Sequence, residues 1–217
     1  MKKIIILFII LMFGTLIVSC TNNTNANNIN IQKEDLIMSQ NRDGGKSLVI
    51  YSSFIGEQYS VGVIYKGNTE IVADMIVEKL GSDIYKVEPK VDNYPKDSYK
   101  RLIEIASEEL HNNARLEIKD IIFDISKYDT IYIGAPVWWG DFPMIMYTLF
   151  DKVDMNGKTI VPFSTHGGSG LSRFDSKLKR LYPNANIKKG LAITGTDAQN
   201  NKVKVKTEVY KWIDSIK

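Results

Sequence analysis

One cysteine in 217 residues leaves Cys20 nothing to pair with, which excludes an internal disulfide and any zinc site built on several thiolates. No metal centre is expected. No basic run with interleaved aromatic residues occurs, so the electrostatic footprint of a nucleic-acid binder is missing. There is no internal repeat, and 217 residues suit one well-buried domain better than two. The longest apolar run, Ile4 to Val18, stops short of the about 20 residues a spanning helix needs.

That run follows Lys2 and Lys3 and precedes Ser19 and Cys20, the layout of a signal peptide over residues 1–19. Taking those two lysines from the 28 basic residues leaves 26 against 25 acidic ones, so the mature chain is close to neutral. Ile17-Val18-Ser19-Cys20 resembles a bacterial lipobox, which makes Cys20 the expected first mature residue and the site of lipidation. Each buried methylene contributes about 0.8 kcal/mol, and two or more acyl chains hold a protein stably where one does not. Residues 20–45 are Asn-rich with scattered apolar positions and read as a flexible tether. The expected location is the extracytoplasmic face of the cell membrane, reached through the lipid anchor.

From Lys46 to Lys217 short apolar, β-branched runs alternate with longer amphipathic ones, the signature of a parallel sheet wrapped by helices. Five strands are expected, over Ser47–Ser53, Asp83–Pro89, Thr130–Pro136, Thr159–Thr165 and Ile187–Ile193. The first, third and fourth are almost wholly apolar and therefore central. Helical spacing links Ile71, Val72, Met75, Ile76 and Leu80, then Tyr99, Leu102, Ile103, Ala106 and Leu110, then Phe174, Leu178, Leu181 and Tyr182. A last helix carries Val205, Val209, Trp212, Ile213 and Ile216, which makes Trp212 a core residue. The expected fold class is α/β, a three-layer, doubly wound, five-stranded parallel sheet in the order 2-1-3-4-5. Ligands of such sheets bind at the carboxyl ends of the strands, which singles out the loops after Ser53, Pro136 and Thr165.

In the first of these loops Gly67-Asn68-Thr69 opens a helix, whose unpaired amides and partial positive charge suit a phosphate. Gly67 allows close approach, and the side chains of Ser53, Asn68 and Thr69 can donate to phosphate oxygens; Asn and Thr are equally ordinary helix caps. No Gly-Lys-Ser/Thr follows and no G-x-G-x-x-G occurs, so ATP and NAD are poor candidates for a resident ligand. In the second loop, Pro136-Val137-Trp138-Trp139-Gly140-Asp141, two adjacent indoles expose apolar area unless a planar group covers it. One of the two is expected to pack back toward the helix that begins near Pro143. The third loop, Thr165-His166-Gly167-Gly168-Ser169-Gly170, has glycines that admit a planar ligand. It is not a nucleophile elbow, because Leu171 stands where G-x-S-x-G needs glycine.

Taken in order, "YSS…KGNTE", "GAPVWWGDFP" and "PFSTHGGSG" resemble the flavodoxin-like proteins that bind flavin mononucleotide, over Lys46 to the end. The resemblance implies FMN as cofactor, with the phosphate on Ser53, Gly67, Asn68 and Thr69. It places the isoalloxazine ring against Pro136, Val137, Trp138, Trp139, Gly140 and Asp141 and against Thr165, His166, Gly167, Gly168 and Gly170. It further implies that Trp138 or Trp139 stacks on the ring, that Asp141 meets its polar edge, and that the Gly140 carbonyl can turn to accept from N5 of the reduced flavin. No catalytic acid or base is required. Two departures stand out: Phe54 to Lys66 interrupt the short phosphate loop of the family, and the chain lacks the family's strong acidity.

The expected function is electron transfer through bound FMN, with a redox partner protein. A second reading is an NAD(P)H-dependent quinone or flavin reductase using small substrates. A third, of another class, is a flavin-free surface binding protein or a hydrolase using Ser164 or Ser169 with His166.

Overall fold

The computed structural model describes residues 46–216. The expected signal peptide, the lipidation site Cys20 and the tether lie outside the described residues. Strand β1 (Ser47–Tyr51) is buried along its whole length and pairs in parallel with β4 (Asp83–Lys86) on one side and β5 (Thr130–Pro136) on the other. Between β1 and β4 lie a short antiparallel hairpin, β2 (Gly56–Gln58) and β3 (Gly62–Ile64), and then helix α1 (Asn68–Leu80). Strand β5 pairs with β6 (Thr159–His166), and the last edge is formed by β7 (Asn186–Ile187) and β8 (Leu191–Thr194), both parallel to β6. The strand order is therefore second, first, third, fourth, fifth, as expected.

Helices α2 (Tyr99–His111), α3 (Met144–Lys152) and α4 (Phe174–Leu181) contribute to one face of the sheet, where Leu48, Ile50, Ile131 and Ile133 pack with Leu102, Leu149, Phe174 and Leu178. On the other face α1 and α6 (Lys202–Ser215), preceded by the short α5 (Gly195–Asn200), meet Val49, Tyr51, Tyr132, Val161 and Phe163. Alternate residues of one strand thus feed two cores, which is why these strands read as unbroken apolar runs. Full burial of an aliphatic side chain contributes roughly 1.5–3 kcal/mol, so the paired cores supply the main force holding the layers together. Trp212 is buried in the second core, and its indole N–H donates to the Lys189 carbonyl at 2.9 Å. Helix α1 stops at Gly81, whose φ of 62° places it in the left-handed region while its amide closes onto the Val77 carbonyl.

The fifth strand differs from the expected continuous Ile187–Ile193, because it is cut into β7 and β8 by Lys188–Gly190. The cause lies in the neighbouring strand. Pro162 has no amide to donate to the edge, and its carbonyl and ring crowd the backbone of Gly190, where even a Cβ would lie 2.8 Å from the Pro162 oxygen. The second difference is the hairpin β2–β3, which gives the Phe54–Lys66 insertion a defined structure. Among the described residues no helix is long and apolar enough to cross a membrane.

Candidate functional site

The carboxyl ends of β1, β5 and β6 lie side by side, as the registers Tyr51 with Gly134 and Pro136 with Thr165 require, so the three expected loops meet at one rim. Helix α1 starts there with Gly67 as its N-cap in an extended conformation. The amide of Glu70 donates to Ser53 Oγ at 3.1 Å and that of Ile71 to the Gly67 carbonyl, while the first-turn amides of Asn68 and Thr69 have no acceptor within the helix. Gly67 packs directly on the preceding loop: a Cβ there would overlap Ser53 Oγ and lie 2.9 Å from the Phe54 carbonyl oxygen.

The polar side chains of this first loop are already organised. Thr69 Oγ1 and Thr165 Oγ1 share a buried hydrogen bond of 2.7 Å, which ties the first loop to the third. Asn68 Oδ1 accepts from Gln199 Nε2 at 2.8 Å, and Gln199 also donates to the Lys66 carbonyl. At the end of β1 the Ser52 hydroxyl is fully buried and has no partner among the described residues. A helix mouth with open amides, a close-packed glycine and hydroxyls of Ser53, Thr69 and Thr165, whose first-turn carboxylate, Glu70, is paired with Lys86, suits a phosphate.

In the second loop the two tryptophans part company. Trp138 is 5 % exposed and lies against Phe54 and Tyr94, with ring centroids 4.3 and 5.4 Å away, so it is the inward-packing indole, in one core cluster with Ile145 and Met146 of the helix after Pro143. Trp139 is 58 % exposed, and its indole N–H donates to the Ile103 carbonyl of α2 at 2.8 Å. Trp139 and Gly140 have φ of 50° and 73° and form the two central positions of a tight turn, closed by hydrogen bonds in both directions between Trp138 and Asp141. That pair of positive φ values is the type I′ pattern. Asp141 Oδ1 takes three donors: the Phe142 amide at 2.7 Å, the Tyr147 hydroxyl at 2.8 Å and Lys177 Nζ at 2.8 Å. Its oxygen is thus engaged in holding the turn. Tyr147 is pushed well above its ordinary pKa, first by burial and then by this carboxylate. Val137 joins the third loop through its amide, which donates to the Thr165 carbonyl at 2.9 Å, while Pro136 ends β5 opposite Thr165.

In the third loop Gly168 donates its amide to His166 Nδ1 at 2.9 Å, and Ser164 donates to the Gly170 carbonyl at 3.0 Å. Ser164 and His166 therefore spend their hydrogen bonds on the loop backbone, which is not a nucleophile–base arrangement. Gly168 and Gly170 have φ of 137° and 63° and open space where a side chain would project. Gly167 is different, because the ring of Tyr59, at the tip of the β2–β3 hairpin, lies over it; a Cβ on Gly167 would come within 2.5 Å of Tyr59 Cδ1. The hairpin is anchored at its base by Glu57, whose amide donates to the Lys96 carbonyl and whose carboxylate accepts the Tyr99 amide at the start of α2, at 2.7 Å.

Sequence reasoning missed Tyr59, Gln199 and Lys177 at this rim. Only Gln199 left a signal, because Thr194-Gly195-Thr196-Asp197 is a helix start after the fifth strand, with the Asp197 amide donating to Thr194 Oγ1.

Burial lowers the pKa of His166. A histidine held neutral in the folded state binds fewer protons than in the unfolded chain, so its contribution to stability is intact above the ordinary value of about 6.5 and is lost as pH falls below it. The imidazole resonances of His166 are expected to titrate below that value, with the Gly168 amide losing protection as Nδ1 is protonated. A midpoint at or above it would mean that the ring is solvated and the bond to Gly168 absent.

The sequence profile of the flavodoxins matches residues 60–216. Among solved structures, a protein from Bacteroides eggerthii assigned as a flavoprotein is 28% identical with a TM-score of 0.61, covering 79% of this chain and 97% of its own. One from Bacteroides uniformis, similarly assigned, is 28% identical with a TM-score of 0.59 over 79% and 99% of the two chains. A flavoprotein from Lactobacillus acidophilus in complex with FMN shares the fold at 23% identity, with a TM-score of 0.54 over 73% and 99%. No curated protein matches the sequence. With the profile spanning most of the chain and the doubly wound sheet carrying its three loops at one rim, the chain belongs to the flavodoxin family.

Proposed function

We propose that this protein binds FMN at the rim formed by the three loops and transfers electrons through it, at the extracytoplasmic face of the membrane to which a lipid on Cys20 holds it. The observation that carries the reading is the mouth of α1, where Gly67, Ser53 and the Thr69–Thr165 pair surround two open amides. The Asn68 and Thr69 amides and the hydroxyls hold the phosphate, and a dianion there is favoured by the helix dipole as well as by hydrogen bonds. The turn at Trp138–Asp141 and the glycines at 167, 168 and 170 bound the ring. FMN supplies one- and two-electron chemistry when bound; the chain supplies orientation and shelter from water. The Lactobacillus acidophilus relative was solved with FMN, which supports the same cofactor here.

A redox partner protein is the proposed source or sink of the electrons. The hydrolase reading with Ser164 loses its footing, since Ser164 donates to a backbone carbonyl and His166 Nδ1 accepts the Gly168 amide.

Titration of the purified protein with FMN is expected to quench the flavin's emission and shift its visible absorption, with riboflavin binding at least about tenfold more weakly because it lacks the charged phosphate. A protein that leaves FMN emission unchanged at saturating concentration refutes the assignment. Membrane attachment is tested separately: Cys20→Ala is expected to release the protein into the soluble fraction, and full retention would refute the anchor.

A further inference from the structure

We infer that Lys177 is the residue that locks the Gly140–Asp141 peptide, and that through this lock it sets how readily the Gly140 carbonyl becomes available to a ligand. The peptide is pinned at both ends. Its carbonyl oxygen accepts from Lys177 Nζ at 2.6 Å, and its amide donates to the Trp138 carbonyl at 2.9 Å. The same ammonium lies 2.8 Å from Asp141 Oδ1, an oxygen that also binds the Phe142 amide and the Tyr147 hydroxyl. Lys177 is only 13 % exposed in its side chain, so this is not a solvated surface lysine swinging freely.

Glycine at position 140, with φ of 73°, leaves the backbone free to adopt more than one orientation, and nothing lies within 4 Å of where a side chain would be. The backbone holds only one end of the peptide, through the Asp141 amide on the Trp138 carbonyl. A charge-assisted bond holds the carbonyl end, and such bonds are roughly twice as strong as neutral ones. Lys177 sits on α4, directly after the third loop, whereas Gly140 sits in the second; the lock thus also couples the two loops that bound the proposed ring site.

The inference about ligand availability rests on the FMN reading, and the lock itself does not. Adding one electron and one proton to a flavin turns N5 from an acceptor into an N–H donor. Release from Lys177 would leave the Gly140 carbonyl freer to meet that donor. Removing the ammonium has two separable effects: loss of a positive charge disfavours both reductions, whereas release of the carbonyl favours the first over the second.

The test uses the whole protein with Lys177→Met and Lys177→Arg. Without FMN, exchange of the Asp141 amide measured by NMR is expected to be about tenfold faster in Lys177→Met, near wild type in Lys177→Arg, and unchanged in both for the core amides of Ile133 and Val161. Asp141 exchange that does not differ between wild type and Lys177→Met overturns the lock. With FMN, a tenfold change in carbonyl availability corresponds to about 59 mV in a one-electron couple, so the gap between the two one-electron potentials is expected to change by that order in Lys177→Met. Potentials that fall together with an unchanged gap show a charge effect alone and overturn the ligand role. If wild type binds no FMN, the proposed function fails, while the exchange result still judges the lock.

Discussion

Gly67→Ala is expected to weaken FMN binding severely while the domain still folds. The backbone of Gly67, with φ −66° and ψ 149°, is open to any residue, so the defect is purely one of space. An added Cβ overlaps Ser53 Oγ and lies 2.9 and 3.1 Å from the carbonyl oxygen and amide nitrogen of Phe54. Two of those three neighbours are backbone, which cannot swing aside as a side chain can. Relief requires moving either the start of α1 or the end of the β1 loop. Helix α1 resists through Ile71, Val72 and Ile76, which are buried against the sheet. The loop yields instead, separating Ser53 from the Glu70 amide and opening the helix mouth. Overpacking of this kind costs roughly 1–3 kcal/mol, which a domain of this size survives. A phosphate held by several charge-assisted bonds, each contributing about 1.5–3 kcal/mol, loses more than one of them. The expected result is an affinity at least about 100-fold weaker, equivalent to 2.7 kcal/mol, with a modest fall in the urea midpoint. Fluorescence quenching and denaturant titration on the same preparation separate the two effects. An alanine variant that binds FMN like wild type would move the phosphate away from α1.

The path from residues to this site was legible as far as local patterns reach. The all-apolar runs at Val49–Tyr51 and Ile131–Ala135 announce strands covered on both faces, and the spacing Val205, Val209, Trp212 places that tryptophan in the core without reference to anything distant. The three rim loops follow from the strand order. What could not be read depends on partners far away in sequence. Trp138 and Trp139 occupy equivalent positions in the pattern, and only Phe54 and Tyr94, more than forty residues earlier, decide that Trp138 turns inward. The break in the fifth strand is caused by Pro162 in a different strand. Lys177 lies on a strongly amphipathic helix whose charged positions read as solvated, and its partners Gly140 and Asp141 belong to another loop. The hairpin had local marks, Gly56 and Gly62 with φ of 95° and 81° around a polar tip, but its consequence did not. Tyr59 reaches Gly167 only because the chain between them builds β4, β5 and β6 and their crossover helices.

Gly134→Ala is expected to destabilise the fold more than any other small substitution in β5. Gly134 stands in the middle of the sheet, paired with Tyr51 of β1 and Phe163 of β6, and the far end of the Phe163 ring fills the space where a side chain would project. A methyl group at Gly134 would overlap the Cζ and Cε atoms of that ring, with Cε1 2.5 Å away. Phe163 is fully buried and packs into the face covered by α1 and α6, among Val72, Ile76 and Val209, so it has nowhere to go without displacing a helix. The expected cost is about 3 kcal/mol, at the upper end of overpacking. Phe163→Ala removes the ring and is expected to cost about 3–5 kcal/mol through the cavity it leaves. The double variant tests the geometry directly. With the ring gone, the methyl of Ala at 134 enters empty space and fills part of it, so adding Gly134→Ala to Phe163→Ala should be nearly neutral. The coupling between the two sites is then close to the whole cost of the single glycine change, at the high end of the 0.5–3 kcal/mol found for residues in contact. Urea unfolding of the four proteins measures it. Additive costs would mean that glycine at 134 serves the strand for some reason other than room for Phe163. Because β5 ends two residues later at the Trp138 turn, the variant also reports on the site: a displaced Phe163 shifts β6 against β5, and with it the Thr165 carbonyl that anchors the Val137 amide.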